Sequence, residues 1–115
     1  MSTAILYGIK NCDTVRKARK WLEAEGIEYR FHDFRVDGID EKDLRNWVKT
    51  ATWETLLNRR GTTWRQLPEA DKEDVDEKKS LQLMLSQPTL IKRPLLVHKK
   101  KIHVGFKPAE YEALF

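Results

Sequence analysis

The first apolar run, Ala4 to Tyr7, has the length and unbroken apolar character of a strand buried on both faces. Gly8 is read as its end. After Cys12, the residues Val15, Ala18 and Leu22 recur at spacings of three and four, with Arg16, Lys17, Arg19 and Lys20 between them. That spacing predicts an amphipathic helix with its apolar stripe turned inward. Gly26 stands where a left-handed residue closes such a helix. The stretch "IEYRFHDF" then alternates, Ile27, Tyr29 and Phe31 against Glu28, Arg30 and His32, which is the period of a second strand. Strand, helix, strand makes a βαβ unit with parallel strands.

From Asp40 to Gln87 the period turns helical. "DEKDLRNWVKT" opens on an Asp cap and places Leu44, Trp47 and Val48 on one face. "TWETLLNRRG" reads as a helix closing at Gly61. "DEKKSLQLMLSQP" carries a stripe of Leu81, Met84 and Leu85 and stops at Pro88. Two short apolar runs, Leu95–Val97 and Ile102–Val104, flank a basic tip and predict an antiparallel hairpin. "KPAEYEALF" follows as a helix with Pro108 in its first turn. The order β-α-β, helical block, β-β-α is the thioredoxin-like α/β arrangement, with a mixed four-stranded sheet. It is expected as one domain over residues 1–115, with a helical insertion at about 40–87.

Composition narrows the setting. The chain of 115 residues is 40% hydrophobic and 35% charged, too apolar for a wholly disordered chain. One cysteine excludes an intramolecular disulfide and fits a reducing compartment. The opening residues lack the basic-then-apolar build of a secretory signal, and no run is long enough to span a bilayer, so the cytoplasm is the expected address. A net charge of +4 is weak support for an anionic partner, and direct nucleic-acid binding is not expected. A monomer is expected.

The only thiol lies where the first strand hands over to a helix. A helix N-terminus offers unpaired N–H groups and partial positive charge, which favour an anion there, and Lys10 and Arg16 add cations nearby. Asp13 opposes this only if it faces the sulfur. In an open α/β sheet this loop lies at the carboxyl ends of the strands, where ligands bind. A buried, inert cysteine is the plain alternative, but the neighbours Lys10, Asn11 and Asp13 make a poor core. Arg59 and Arg60 close a predicted helix, where one serves the helix dipole and a pair would grip a carboxylate or oxyanion by forked hydrogen bonds. Arg93 precedes Pro94 at the start of the third strand, and the sequence leaves the isomer of that peptide open. His32, His98 and His103 lack carboxylates at ligand spacing, so no metal site is expected. Lys99, Lys100 and Lys101 read as solvated charge, and the four tryptophans as packing.

"YGIKNCDTVRKARKWLE", "FHDFR", "LLNRRGTTWRQL", "PTLIKRPLLV" and "VGFKPAEYEALF" together resemble the arsenate-reductase-related family that includes the Spx regulators, and most of all its YffB branch. The resemblance covers nearly the whole chain. It implies a thioredoxin-like fold, a cis peptide before Pro94, and a nucleophilic Cys12 helped by Asn11, Thr14, an arginine of the Arg59–Arg60 pair, and Arg93. It also implies glutathione as thiol co-substrate. Arsenate reductases of this kind carry three arginines for the oxyanion, whereas "GFKP" puts Lys107 at the third place. Spx-type redox switches use Cys-x-x-Cys, and Val15 stands at the second position here. The expected function is a glutathione-dependent thiol oxidoreductase. The alternatives are an Spx-like regulator docking on RNA polymerase, or an arsenate reductase working with glutathione or glutaredoxin.

Overall fold

In the computed structural model, which describes residues 3–115, β1 (Ala4–Gly8) and β2 (Tyr29–Asp33) run parallel and are joined by α1 (Asp13–Ala24). A one-turn helix, α2 (Phe34–Asp37), follows β2 directly. Helix α1 forms because Val15, Ala18 and Leu22 share one face, and all three are buried. It ends in a Schellman closure. Gly26 sits at φ +67° and donates to Glu23 O, while Ile27 N donates to Leu22 O at 2.9 Å. Gly8 is the last residue of β1. A Cβ there would lie 2.6 Å from Val15 Cγ2, so only glycine lets the strand end pass under the helix.

β3 (Leu95–His98) and β4 (Lys101–Val104) form the expected hairpin, and α8 (Pro108–Leu114) follows with its proline in the first turn. β3 lies antiparallel to β1, with Leu6 opposite Leu96, giving the order β2-β1-β3-β4. Ala4, Leu6 and Leu96 of the sheet pack with Ala18 and Leu22 of α1 and with Tyr111 of α8. Burying these side chains from water is the main favourable term for this half. The fold is the thioredoxin-like α/β type read from the sequence.

The chain resolves into two compact units, one of residues up to 37 with 93–115, the other spanning Gly38–Lys92. The second unit holds the helical insertion. Within it lie α3 (Glu41–Ala51), three single-turn helices α4 (Trp53–Leu56), α5 (Thr62–Arg65) and α6 (Glu69–Lys72), then α7 (Glu77–Ser86) and a 3₁₀ turn at Pro88–Leu90. Asp40 caps α3 as expected, its carboxylate accepting from Lys42 N at 2.8 Å, and Leu44, Trp47 and Val48 are buried.

Two expectations fail in this unit. The helix read over "TWETLLNRRG" stops at Leu56. Leu57 makes the last bond of that helix, its N–H donating to Trp53 O at 2.9 Å, and bridges Ile91, while Asn58 N donates to Leu90 O and Lys92 N to Leu56 O, both at 2.8 Å. Arg59 and Arg60 therefore lie in a loop and do not end a helix. The inward face of α7 is Ser80 and Met84, whereas Leu81 and Leu85 are half-buried along a groove between α3 and α7. Among the described residues no helix is long and apolar enough to cross a membrane.

Candidate active site

The sheet topology delivers four segments of the first unit to one edge. β1 and β2 end there, with Gly8 opposite Asp33. β3 begins there, Leu95 opposite Tyr7, and β4 ends there, Val104 opposite Leu95. The Cys12 loop, Asp33, the Arg93–Pro94 pair and the segment leading to Lys107 share that end. The positions come from strand directions, and no local pattern in any one segment announces the others.

Cys12 closes a turn, its N–H donating to Ile9 O at 3.3 Å, and is the N-cap of α1 with an extended backbone at φ −101° and ψ 124°. Its carbonyl accepts from Arg16 N at 3.0 Å, the first bond of the helix. Its side chain makes no capping hydrogen bond, and the residue is half-buried as a free thiol. The sulfur thus starts beside the unpaired N–H groups of the first helical turn with no structural task of its own. Asn11 and Thr14 flank it and are exposed. Arg16 has a carboxylate partner of its own in the first helical turn. Its guanidinium pairs with the Asp13 carboxylate three residues earlier, so the acid and the cation answer each other in solvent.

The Arg93–Pro94 peptide is cis, as the resemblance implied. Pro94 is buried and its carbonyl accepts from Gly105 N at 2.8 Å, tying the start of β3 to the segment before Lys107. Arg93 is half-buried. Lys107 is the exposed N-cap of α8, its carbonyl accepting from Glu110 N and Tyr111 N, and its ammonium has no hydrogen-bond or ion-pair partner among the described residues.

Arg59 and Arg60 belong to the other unit, and there they separate in role. Arg59 lies over the rings of Trp53 and Trp64, 5.2 and 5.9 Å from their centroids, so it clasps the loop by cation–π contact. Arg60 has its backbone held at both ends, Asn58 Oδ1 accepting from its N–H and Arg65 Nη2 donating to its carbonyl at 2.9 Å. Its guanidinium has no partner among the described residues.

The histidines do other work. Burial, then the neighbouring Lys99 and Lys101 charges, hold His98 below its ordinary pKa of 6.5, and its ring packs 4.5 Å from that of Phe115. His103 Nε2 lies 2.9 Å from Glu110 Oε1. Among the described residues no group of three or more His, Cys, Asp or Glu is placed to hold a metal ion.

Asp33 was missed in the sequence. It is buried, and its carboxylate accepts from Lys10 N at 3.2 Å and from Arg35 N at 2.8 Å. An acid near the end of a predicted strand was the available signal.

The ArsC family profile matches residues 7–114. An uncharacterized protein of Haemophilus influenzae is 46% identical over 110 residues, covering 96% of each chain. The solved structure of a YffB protein superposes with a TM-score of 0.94 at 52% identity, over 97% of this chain and 98% of that one. That of an arsenate-reductase-related protein from Brucella melitensis gives 0.78 at 53% identity, over 97% and 93%. More distant relatives include the global transcriptional regulator Spx of Lactiplantibacillus plantarum, 23% identical over 92% of this chain and 81% of its own. An arsenate reductase from Vibrio cholerae, 16% identical with a TM-score of 0.84 over 98% of both chains, shares the fold.

Proposed function

The chain belongs to the ArsC family, and from that premise we propose that it is a glutathione-dependent thiol oxidoreductase whose nucleophile is Cys12. The observation that carries the reading is the half-buried Cys12 thiol at the N-terminus of α1, unused by the helix cap and sharing one sheet edge with Arg93 and Lys107. In the proposed cycle the Cys12 thiolate attacks the glutathione sulfur of a mixed disulfide. A Cys12–glutathione disulfide forms, and the substrate sulfur leaves as a thiolate with the electron pair and takes a proton from solvent. A second glutathione thiolate then attacks that disulfide at the glutathione sulfur, releasing oxidised glutathione and returning Cys12 as thiolate. One substrate disulfide is reduced, and two glutathione sulfurs end as one disulfide. With one cysteine in the chain the second sulfur must come from outside.

Thr14 and the backbone N–H groups of the first helical turn stabilise the sulfur. Arg93 and Lys107 bind the two carboxylates of glutathione. The experiment is incubation with oxidised glutathione and mass spectrometry. One glutathionyl group is expected, on Cys12 and absent from Cys12→Ser. A Cys12 left unmodified where an ordinary exposed thiol reacts would end the reductase reading.

A second reading, a regulator docking on RNA polymerase, is supported by the likeness to proteins named regulators, one of them a global transcriptional regulator. Capture of polymerase by a chain with no thiol turnover would decide for it.

A further inference from the structure

We infer that Asp33 is the positioning residue of the Cys12 loop: its buried carboxylate grips the Lys10 and Arg35 N–H groups and so holds the Ile9–Cys12 turn in the geometry from which the thiol attacks. This rests on Cys12 being the nucleophile proposed above. A carboxylate 6% exposed is costly to bury unless both oxygens are hydrogen-bonded. Here both are. Oδ2 accepts from Lys10 N at 3.2 Å and Oδ1 from Arg35 N at 2.8 Å.

Two converging N–H donors select the residue type. An asparagine offers one acceptor atom and an NH₂, so one of the two N–H groups would meet another donor. The position matters equally. The parallel ladder between β1 and β2 ends at Gly8 opposite Asp33, so Lys10, two residues on, has no strand to pair with. The Asp33 side chain takes over where the ladder stops. Lys10 lies inside the turn that Cys12 closes through its bond to Ile9 O. Anchoring Lys10 therefore sets where Cys12 enters α1. The backbone N–H of Asp33 is used differently, donating to Asp37 Oδ2 at 3.1 Å within the α2 turn. That bond does not reach the cysteine loop, which makes Asp37 the control.

The test compares the native chain with Asp33→Asn and Asp37→Asn. Amide exchange is read at Lys10 and Arg35, with the rates of Cys12 alkylation by iodoacetamide and of mixed-disulfide formation with oxidised glutathione. Native Lys10 is expected to be protected. In Asp33→Asn, Lys10 should exchange faster and disulfide formation should slow on the order of tenfold, because the reaction depends on a fixed approach. Alkylation by the small reagent should change less. Asp37→Asn should leave Lys10 protection and both rates near native. Mixed-disulfide formation at the native rate in Asp33→Asn overturns the inference, as does an Asp37→Asn variant that reproduces the full Asp33→Asn pattern. An unprotected Lys10 amide in the native chain overturns it too, whether or not Asp33→Asn folds. Absence of any glutathione adduct on the native chain would defeat the reductase reading instead, while the exchange and alkylation readouts still judge the Asp33 contact.

Discussion

One side chain, Lys107, bears on which anion the site accepts. It stands at the end of the sheet that carries Cys12, exposed and without an ion-pair partner among the described residues, where the resemblance to arsenate reductases expects an arginine. A guanidinium grips two oxygens of a tetrahedral oxyanion through a planar fork, whereas an ammonium is a point charge. Arsenate reduction with glutathione by the native chain should therefore be slow or absent, and Lys107→Arg should raise it, as followed by arsenite release. Brisk native turnover would show that the third arginine is dispensable. At this scale the sequence singled out Cys12 and Arg93 by residue type and neighbours, and the family resemblance pointed to Lys107. The sequence set Arg16 near the thiol, but charge spacing along a helix does not show that the guanidinium also meets Asp13. Asp33 stayed hidden because its partner Lys10 lies 23 residues away in the chain.

Among the elements, α1 is the one whose pattern and structure agree from end to end, and its closure offers a clean test. Gly26 holds φ +67° with open space where a Cβ would go, so Gly26→Ala meets backbone strain alone. The left-handed conformation costs an L residue about 1–2 kcal/mol. The unfolding free energy from urea titration should fall by that amount while helix content is retained, and an unchanged value would count against the Schellman closure. The α4 segment shows the opposite case. "TWETLL" suits a helix, yet Leu57 bridges Ile91 and the chain runs on as a loop. Local propensity is nearly neutral between these choices, and the hydrogen bonds that decide lie more than thirty residues further along. In α7 the apolar spacing put Leu81, Met84 and Leu85 on one stripe, but of these only Met84 is buried, together with Ser80. A stripe with leucines on two adjacent flanks does not fix the rotation of a helix about its axis.

For the molecule as a whole, two titrating groups shape stability in opposite pH ranges. His98 is held below 6.5, first by burial and then by Lys99 and Lys101. As pH falls through 6.5 the unfolded chain takes up a proton that the folded chain resists, so this contribution is present above that pH and lost below it. Tyr111 is raised above its ordinary 10 by burial alone. Its contribution is full below pH 10 and lost as pH rises, because the unfolded phenol ionises first. Urea midpoints from pH 5 to 8 should show a smaller acid-side decline in His98→Gln than in the native chain. A native-minus-variant difference constant across that range would remove His98 from the account. Hydrophobic period, Gly26 as closure and Pro108 as opener were enough to specify the βαβ and ββα halves, because each acts within a few residues. They also picked out the thiol at the strand-to-helix junction. The loop that carries Arg59 and Arg60, the Asp13–Arg16 pairing and the Asp33 grip on Lys10 depended on the folded chain. These are choices among partners of similar local merit, and strand direction, register and burial choose between them only once distant segments meet.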